Sequence, residues 1–176
     1  PMKRSAIHEL RSFTMYADPE AAKFMDGTAF HWYSGPEFDN LEKAYAADPS
    51  KFMLATEACN CPGVKIDDWS RGENYGYDIL GDLRHHSVGW VDWNMVLNEI
   101  GGPNHVSNYC DSPIIAFAGN NTYHLQPPYF YMGHVSKFVL PDSVVVGVKE
   151  SGLMASEMSS VAVVREDGKI VVVVMN

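Results

Sequence analysis

The chain has 176 residues, 46% of them apolar and 12% aromatic, which is enough to bury the core of an ordinary domain and excludes a disordered polymer. Its formal charge of −9 excludes a phosphate-backbone partner, because nucleic-acid binding requires a cationic footprint. No run approaches the ~18 apolar residues of a membrane span, and Pro1-Met2-Lys3-Arg4 leads into a polar, helix-like segment with no targeting signal.

Residues 1–16 read as the tail of an element whose beginning is missing. Asp18-Pro19-Glu20 supplies an N-cap, a proline at the first helical position and an acidic first turn, so a short helix is expected through Ala21, Ala22 and Phe24. Gly27 to Tyr33 reads as an aromatic-rich strand closed by Ser34-Gly35-Pro36. Phe38, Leu41 and Tyr45 then recur at helical spacing, with Asp48-Pro49 as the stop.

Phe52-Met53-Leu54-Ala55 is apolar and strand-length and runs into Thr56-Glu57, as a buried parallel strand does when it surfaces at its C-terminal end. A lone Glu at such a place is ordinarily a loop residue. Its neighbours change the reading. After an irregular loop (60–70), Arg71 to His86 carries Tyr75, Ile79, Leu80 and Leu83 on one face, an amphipathic helix that packing must hold because Gly72, Gly76 and Gly81 weaken it. Ser87 to Asn94 is a third strand whose exit again turns polar, at Asp92, Trp93 and Asn94.

Helix and strand thus alternate, which implies an α/β chain with right-handed crossovers and a parallel sheet. Three strands ending in groups that bond or stack (His31 and Tyr33, Glu57, then Asp92 to Asn94) point to a shared site at the C-terminal face, as in barrels. A doubly wound sheet would fit the alternation, but no Gly-x-Gly-x-x-Gly or phosphate loop follows any strand.

A long loop follows Asn94, then an apolar run from Pro113 to Ala118, and Pro127-Pro128 opens a helix in which His134 is read as a packed, structural histidine. From Pro141 the pattern becomes β-branched: Val144 to Val148, Ser160 to Val164 and Lys169 to Val174, with Glu166-Asp167-Gly168-Lys169 as a hairpin turn. The last valine run has no return strand in the sequence to cover it.

Cys59, Cys61 and Cys110 are too few and too oddly numbered for a disulfide framework. Cys59-x-Cys61 lacks a partner Cys-x-x-Cys or His-x-x-x-His, so no metal is expected even with His85, His86 and His134 in the chain. Asn120-Asn121-Thr122 is a glycosylation sequon, permissive of a secretory route.

Asp18-Pro19-Glu20-Ala21-Ala22-Lys23, His31-Trp32-Tyr33, Ala55-Thr56-Glu57-Ala58-Cys59, Gly89-Trp90-x-Asp92-Trp93-Asn94, Gly101-Gly102-Pro103-Asn104 and Gly133-His134-x-Ser136-Lys137-Phe138 together closely resemble the glucosylceramidases, acid β-glucosidases of glycoside hydrolase family 30. The likeness runs through nearly the whole chain in order. It implies the last part of a (β/α)8 TIM barrel over residues 1–138 and the start of an antiparallel β-sandwich over residues 139–176.

The family's retaining mechanism uses two carboxylates ~5 Å apart, a nucleophile and an acid/base. Glu57 matches the nucleophile. The acid/base belongs to an Asn-Glu-Pro motif that these 176 residues do not contain, so the chain alone is expected to be inactive, three strands being too few to close a barrel. By the same transfer Trp93 and Asn108 match residues that hold the glucosyl ring, by indole stacking and amide hydrogen bonding. Tyr33 matches a tyrosine that positions the nucleophile, and Cys59 lines the site without doing chemistry. Asp92 belongs to a structural Trp-Asp-Trp-Asn motif.

The implied substrate is glucosylceramide at a membrane surface, with a saposin-type activator, no cofactor and a lysosomal or secreted location. Another family 30 β-glycosidase, or a non-catalytic truncated paralogue that binds sugar or pairs with a complementary fragment, are the alternatives. Cys61-Pro62 and His105, which stands where the animal enzymes share a Trp, depart from the pattern and bear on aglycone preference.

Overall fold

The computed structural model describes residues 14–152 and 157–176, so the expectation for residues 1–16 falls almost wholly outside them. The chain forms two compact units, one of residues up to 58 together with 81–91, the other of residues 59–80 together with 92–176.

In the first unit Asp18 caps helix α1 (Pro19–Ala22) by accepting from the Glu20 amide at 2.9 Å, and the helix ends earlier than Phe24. Strand β1 (Gly27–His31), helix α2 (Phe38–Ala47), strand β2 (Phe52–Glu57) and strand β3 (Ser87–Trp90) follow. The three strands make a parallel sheet in the order β1-β2-β3. β2 is central, and its Met53 and Ala55 are the buried side chains, so the apolar run reads correctly as an interior strand. Two strands are shorter than expected. Trp32–Ser34 turns into a 3-10 helix, which takes Tyr33 off β1, and residues 91–94 leave the regular ladder after Trp90. The β2–β3 register shifts between Met53 and Ala55, and the Ser87 hydroxyl fills the gap, 3.4 Å from the Ala55 amide and 2.8 Å from the Gly89 carbonyl.

Helix α3 (Trp69–Arg84) begins two residues earlier than its periodicity suggests and contributes to both units. Its three glycines have a packing reason. A Cβ on Gly72 or Gly76 would lie 2.6 Å from the Tyr131 ring, within the second unit, and a Cβ on Gly81 would lie 2.0 Å from the Phe38 ring, within the first. Aromatic rings sit directly on helix backbone there. The loss of helix propensity is the condition of that approach.

The second unit holds a sheet of β4 (Val96–Asn98), β5 (Ile114–Phe117) and β6 (Thr122–Leu125), in which β4 pairs parallel and β6 antiparallel to β5. β4 corrects the reading of the stretch after Asn94 as loop, and β6 is a strand for which the residues alone raise no expectation: each is only three or four residues long and mixed in polarity, too short to show a period. Helix α4 (Pro127–Ser136) starts at the proline pair, and His134 Nδ1 lies 2.8 Å from the Phe130 carbonyl one turn back.

Strands β7 (Val144–Val146), β8 (Ser159–Val164) and β9 (Ile170–Met175) form the antiparallel sheet. β8 is central, with Val161, Ala162 and Val163 buried, whereas Ile170, Val172 and Val174 on one face of β9 are exposed. The hairpin closes through Arg165 and Lys169, with Gly168 at a φ of 76° and Asp167 Oδ1 accepting from the Lys169 amide at 3.2 Å.

The Gly81–Phe38 contact predicts a sign reversal. Gly81→Ala should destabilise the chain by about 1–3 kcal/mol through overpacking, although alanine alone favours the helix by about 1 kcal/mol. In a Phe38→Leu background, where the offending ring is gone, the same substitution should be neutral or stabilising in denaturant melts; equal effects in both backgrounds would show that the ring contact is not the cause.

Candidate active site

Glu57 is the last residue of β2 and faces His31 in the parallel register. A register shift between Phe30 and His31 bends the end of β1, and the turn that follows brings the Tyr33 hydroxyl to Glu57 Oε1, where it donates at 2.7 Å. His31 Nδ1 stands 3.9 Å from the same oxygen, and the His31 and Tyr33 rings meet edge-on at 5.9 Å. Tyr33 and Glu57 are thus brought together.

The chemistry of the arrangement follows from which oxygen is used. Oε1 is occupied by a phenol donor, which fixes the carboxylate plane, and Oε2 is the oxygen free of that bond. The carboxyl side chain is 31% exposed, so the group is reachable from solvent. An oriented, accessible carboxylate is a group that nucleophilic chemistry can use.

Trp93, Asn108 and Cys59 fall in the second unit. Trp93 is partly exposed, and its backbone amide donates to Asp92 Oδ1 at 2.8 Å. Asn108 is exposed, and its amide donates at 3.0 Å to Asn104 Oδ1, which also accepts from Val106. Cys59 is buried. The long loop before β5 is therefore organised by side-chain amides: Asn98 Oδ1 accepts from Ile100 and Gly102, and Asn104 repeats the device.

Cys61 and Cys110 form a disulfide, contrary to the expectation from cysteine counting. An odd total argues against a framework of several bridges and says nothing against a single one. The bridge lies between two strand-like backbone bonds, from Gly63 to the Tyr109 carbonyl at 2.7 Å and from Asp111 to the Asn60 carbonyl at 2.8 Å. Gly101, at a φ of 85°, backs onto Cys110 so closely that a Cβ would lie 2.3 Å from its carbonyl oxygen.

Sequence reasoning also missed a buried polar hub. Asp111 Oδ2 takes hydrogen bonds from Arg71 and the Lys65 amide, and Oδ1 from Gln126 and the Ser112 amide. Gln126 Oε1 in turn accepts from the Asp67 amide at 2.9 Å, and Arg71 donates to the Gly63 carbonyl at 2.7 Å. The signal in the sequence was weak, since Arg, Asp and Gln separated by tens of residues carry no spacing. The result is that the loop after Glu57, residues 60–68, is pinned along its length within the second unit.

Asp92 is the contrasting acid. Tyr75 donates to its Oδ1 at 2.9 Å alongside the Trp93 amide, and among the described residues its buried Oδ2 has no partner. Beside it is a groove of about 800 Å³ lined by Met95, Ile114, Phe130 and Phe138, and burial of this kind raises the carboxyl from 3.8 to about 7, against the lowering effect of its two donors.

Comparison with known proteins places these observations. A profile described as glycosyl hydrolase family 30 TIM-barrel domain matches residues 7–139, and one described as glycosyl hydrolase family 30 beta sandwich domain matches residues 142–176. The lysosomal acid glucosylceramidase of Mus musculus is 39% identical over 171 residues, covering 91% of this chain and 32% of its own length. The crystal structure of SrfJ from Salmonella typhimurium superposes with a TM-score of 0.86 at 30% identity, covering 93% of this chain and 36% of that one. The structure of an endo-β1,6-glucanase superposes with a TM-score of 0.75 at 25% identity over 92% of this chain and 36% of its own. The chain therefore spans about a third of the length of these relatives. The parallel strands and their helices are part of an α/β barrel, and the antiparallel sheet is part of a β-sandwich.

Asp92 predicts a pH dependence. Its folded form holds a proton that the unfolded chain releases, so its contribution to stability is full below about pH 4 and is lost as pH rises through about 7. The gap from 3.8 to about 7, roughly three pH units at ~1.4 kcal/mol each, bounds the effect at about 4 kcal/mol. Asp48, Asp68 and Asp167 are shifted the other way by hydrogen bonds to Ser50, Ser70 and Lys169, so their contributions change only below about pH 4. Thermal melts should show Tm falling from pH 5 to pH 8, and Asp92→Asn should flatten that slope; a variant with the wild-type slope would place the titration elsewhere.

Proposed function

The chain belongs to glycosyl hydrolase family 30, and from that premise we propose that it carries the nucleophile of a retaining β-glucosidase, Glu57, acting on glucosylceramide to release glucose and ceramide. The observation that carries the proposal is the Tyr33–Glu57 hydrogen bond of 2.7 Å at the ends of adjacent parallel strands. Family membership and a glucosylceramidase at 39% identity support the reaction class and the substrate.

In this proposal Glu57 Oε2 attacks the anomeric carbon while a second carboxyl protonates the departing oxygen; a glucosyl ester forms on Glu57, and water, activated by the second group, then cleaves it. Tyr33 holds Oε1 throughout. As charge leaves the carboxylate on ester formation and returns on hydrolysis, a donor of fixed position stabilises the ionised form at both ends of the step. Trp93 and Asn108 are assigned to the glucosyl ring on their motifs, Cys59 to the site lining. In this reading the second carboxyl is that of the family's Asn-Glu-Pro motif, which these 176 residues do not contain, and the chain by itself is expected not to turn over.

We assign the protein to a lysosomal or secreted compartment, engaging its lipid at a membrane surface with a saposin-type activator. A disulfide between Cys61 and Cys110 fits an oxidising route, as does the sequon turn, where Asn120 is exposed and accepts from the Thr122 amide at 3.2 Å. The likeness to an endo-β1,6-glucanase keeps one second reading open, a family 30 enzyme acting on β-glucans.

The experiment is complementation. The chain, mixed with the upstream barrel segment of the mouse relative, should hydrolyse a fluorogenic β-glucoside and glucosylceramide, while the chain alone should not. Glu57→Gln should abolish turnover by at least about 10⁴-fold, and Tyr33→Phe should lower kcat by about 10–100-fold, equivalent to ~1.4–2.7 kcal/mol. A 2-deoxy-2-fluoroglucoside should leave its adduct on the peptide containing Glu57. Full activity in Glu57→Gln, or an adduct on another acid, would overturn the assignment, and turnover of β1,6-glucan without glucosylceramide would select the second reading.

A further inference from the structure

Three sulfurs converge in the second unit: those of Cys59, Cys61 and Cys110 lie within 4.8 Å of one another. Cys61 and Cys110 are bonded, and the Sγ of Cys59, which is not part of the disulfide, stands 3.3 Å from Cys61 Sγ. Their exposures differ in a useful way. Cys59 and Cys110 are buried, while Cys61, the sulfur common to both contacts, is exposed. A thiolate displaces at a disulfide sulfur when it can reach it, and here the nucleophile is already held in contact.

We propose that Cys59 and the Cys61–Cys110 bond form a built-in thiol–disulfide exchange site, which transfers the bridge from Cys61–Cys110 to Cys59–Cys61. Cys59 loses its proton, its Sγ attacks Cys61 Sγ, and a Cys59–Cys61 bond forms as the Cys61–Cys110 bond breaks. Cys110 leaves as the thiolate and takes up a proton. No oxidant or reductant is consumed. The released thiol has an acceptor waiting, since the Asn108 carbonyl is 3.5 Å from Cys110 Sγ.

The backbone can survive the transfer. The bonds Gly63 to Tyr109 and Asp111 to Asn60 hold the two segments together independently of the bridge. What changes is the covalent tie: a link across 49 residues is replaced by one between residues two apart. Exposed Cys61 also makes the site open to external thiols, which would resolve through Cys59. The inference rests on the sulfur geometry and stands or falls independently of the glucosidase reading.

Trypsin separates the outcomes cleanly, because Cys59 and Cys61 share the peptide 52–65 while Cys110 lies alone in peptide 85–137. The full chain, purified without reductant, is incubated in native buffer with excess iodoacetamide and mapped without reduction. We expect the cross-linked peptide pair to decline over time, replaced by peptide 52–65 with an internal disulfide and peptide 85–137 alkylated at Cys110. Cys59→Ser should reduce Cys110 alkylation at least tenfold. In 8 M urea, where the fold no longer holds the sulfurs together, Cys59 should be alkylated and the cross-linked pair should persist. Alkylation of Cys59 with an intact Cys61–Cys110 bridge in native buffer would overturn the proposal, as would Cys110 labelling that is unchanged in Cys59→Ser or equally abundant in urea.

Discussion

A buried carboxylate must have its charge and its lone pairs answered, and Asp111 organises the second unit by that requirement. It is 3% exposed and takes donors from four directions: a guanidinium, a side-chain amide and two backbone amides. Those donors come from α3, from the loop after β2 and from the entrance to α4, so satisfying one carboxylate fixes three segments that are far apart in the chain. The energetics are lopsided. Such an ion pair adds little over a well-packed apolar pair, yet removing one partner costs about 3–5 kcal/mol because a buried charge is left alone. The hub therefore acts chiefly as a determinant of which arrangement the loop adopts, and the Cys61–Cys110 bridge and two backbone bonds reinforce the same arrangement from its other end.

The same logic of fixed geometry applies, on a smaller scale, to Glu57. Parallel pairing places β1 and β2 exits side by side, but a straight β1 would carry Tyr33 onward along the strand. The register shift at His31 and the 3-10 turn at Trp32–Ser34 return the phenol to the carboxylate. Local irregularity is thus what makes the contact, and it occurs at the end of a regular element whose position is set by the ladder.

This division between regular and irregular explains what could be read from residues alone. β2, β8 and β9 are continuous apolar or β-branched runs, and α2 repeats its apolar residues at helical spacing, so periodicity reveals them. β4 and β6 are too short to have a period and exist because β5 offers them an edge. Tyr33 and Glu57 were legible as polar ends of strands, but their contact depends on a turn that a strand pattern does not announce. The glycines of α3 looked like a defect in a helix until Tyr131 and Phe38, residues far from them in sequence, appear against its backbone. Cys61 and Cys110 were hidden by an odd count, and Arg71, Asp111 and Gln126 by being ordinary residues whose meaning is spatial. Long-range pairing is the part of the fold that sequence spacing does not encode.

Two acids follow the ends of consecutive strands, and their environments differ. Glu57 has one oxygen bound by a phenol and keeps its side chain partly in water. Asp92 has both donors on a single oxygen, its other oxygen buried without a partner, and an apolar groove beside it, so that burial holds it near neutrality at about pH 7. A nucleophile must be ionised over the working range and have an oxygen that a substrate can reach, and Asp92, held protonated by burial under acidic conditions and with its partnerless oxygen buried, satisfies neither. Protonated, it serves instead to accept from Tyr75 and Trp93 and so to fix the segment that carries the indole. The resemblance distinguishes these acids by motif, and the structure gives them different burial and donor placement.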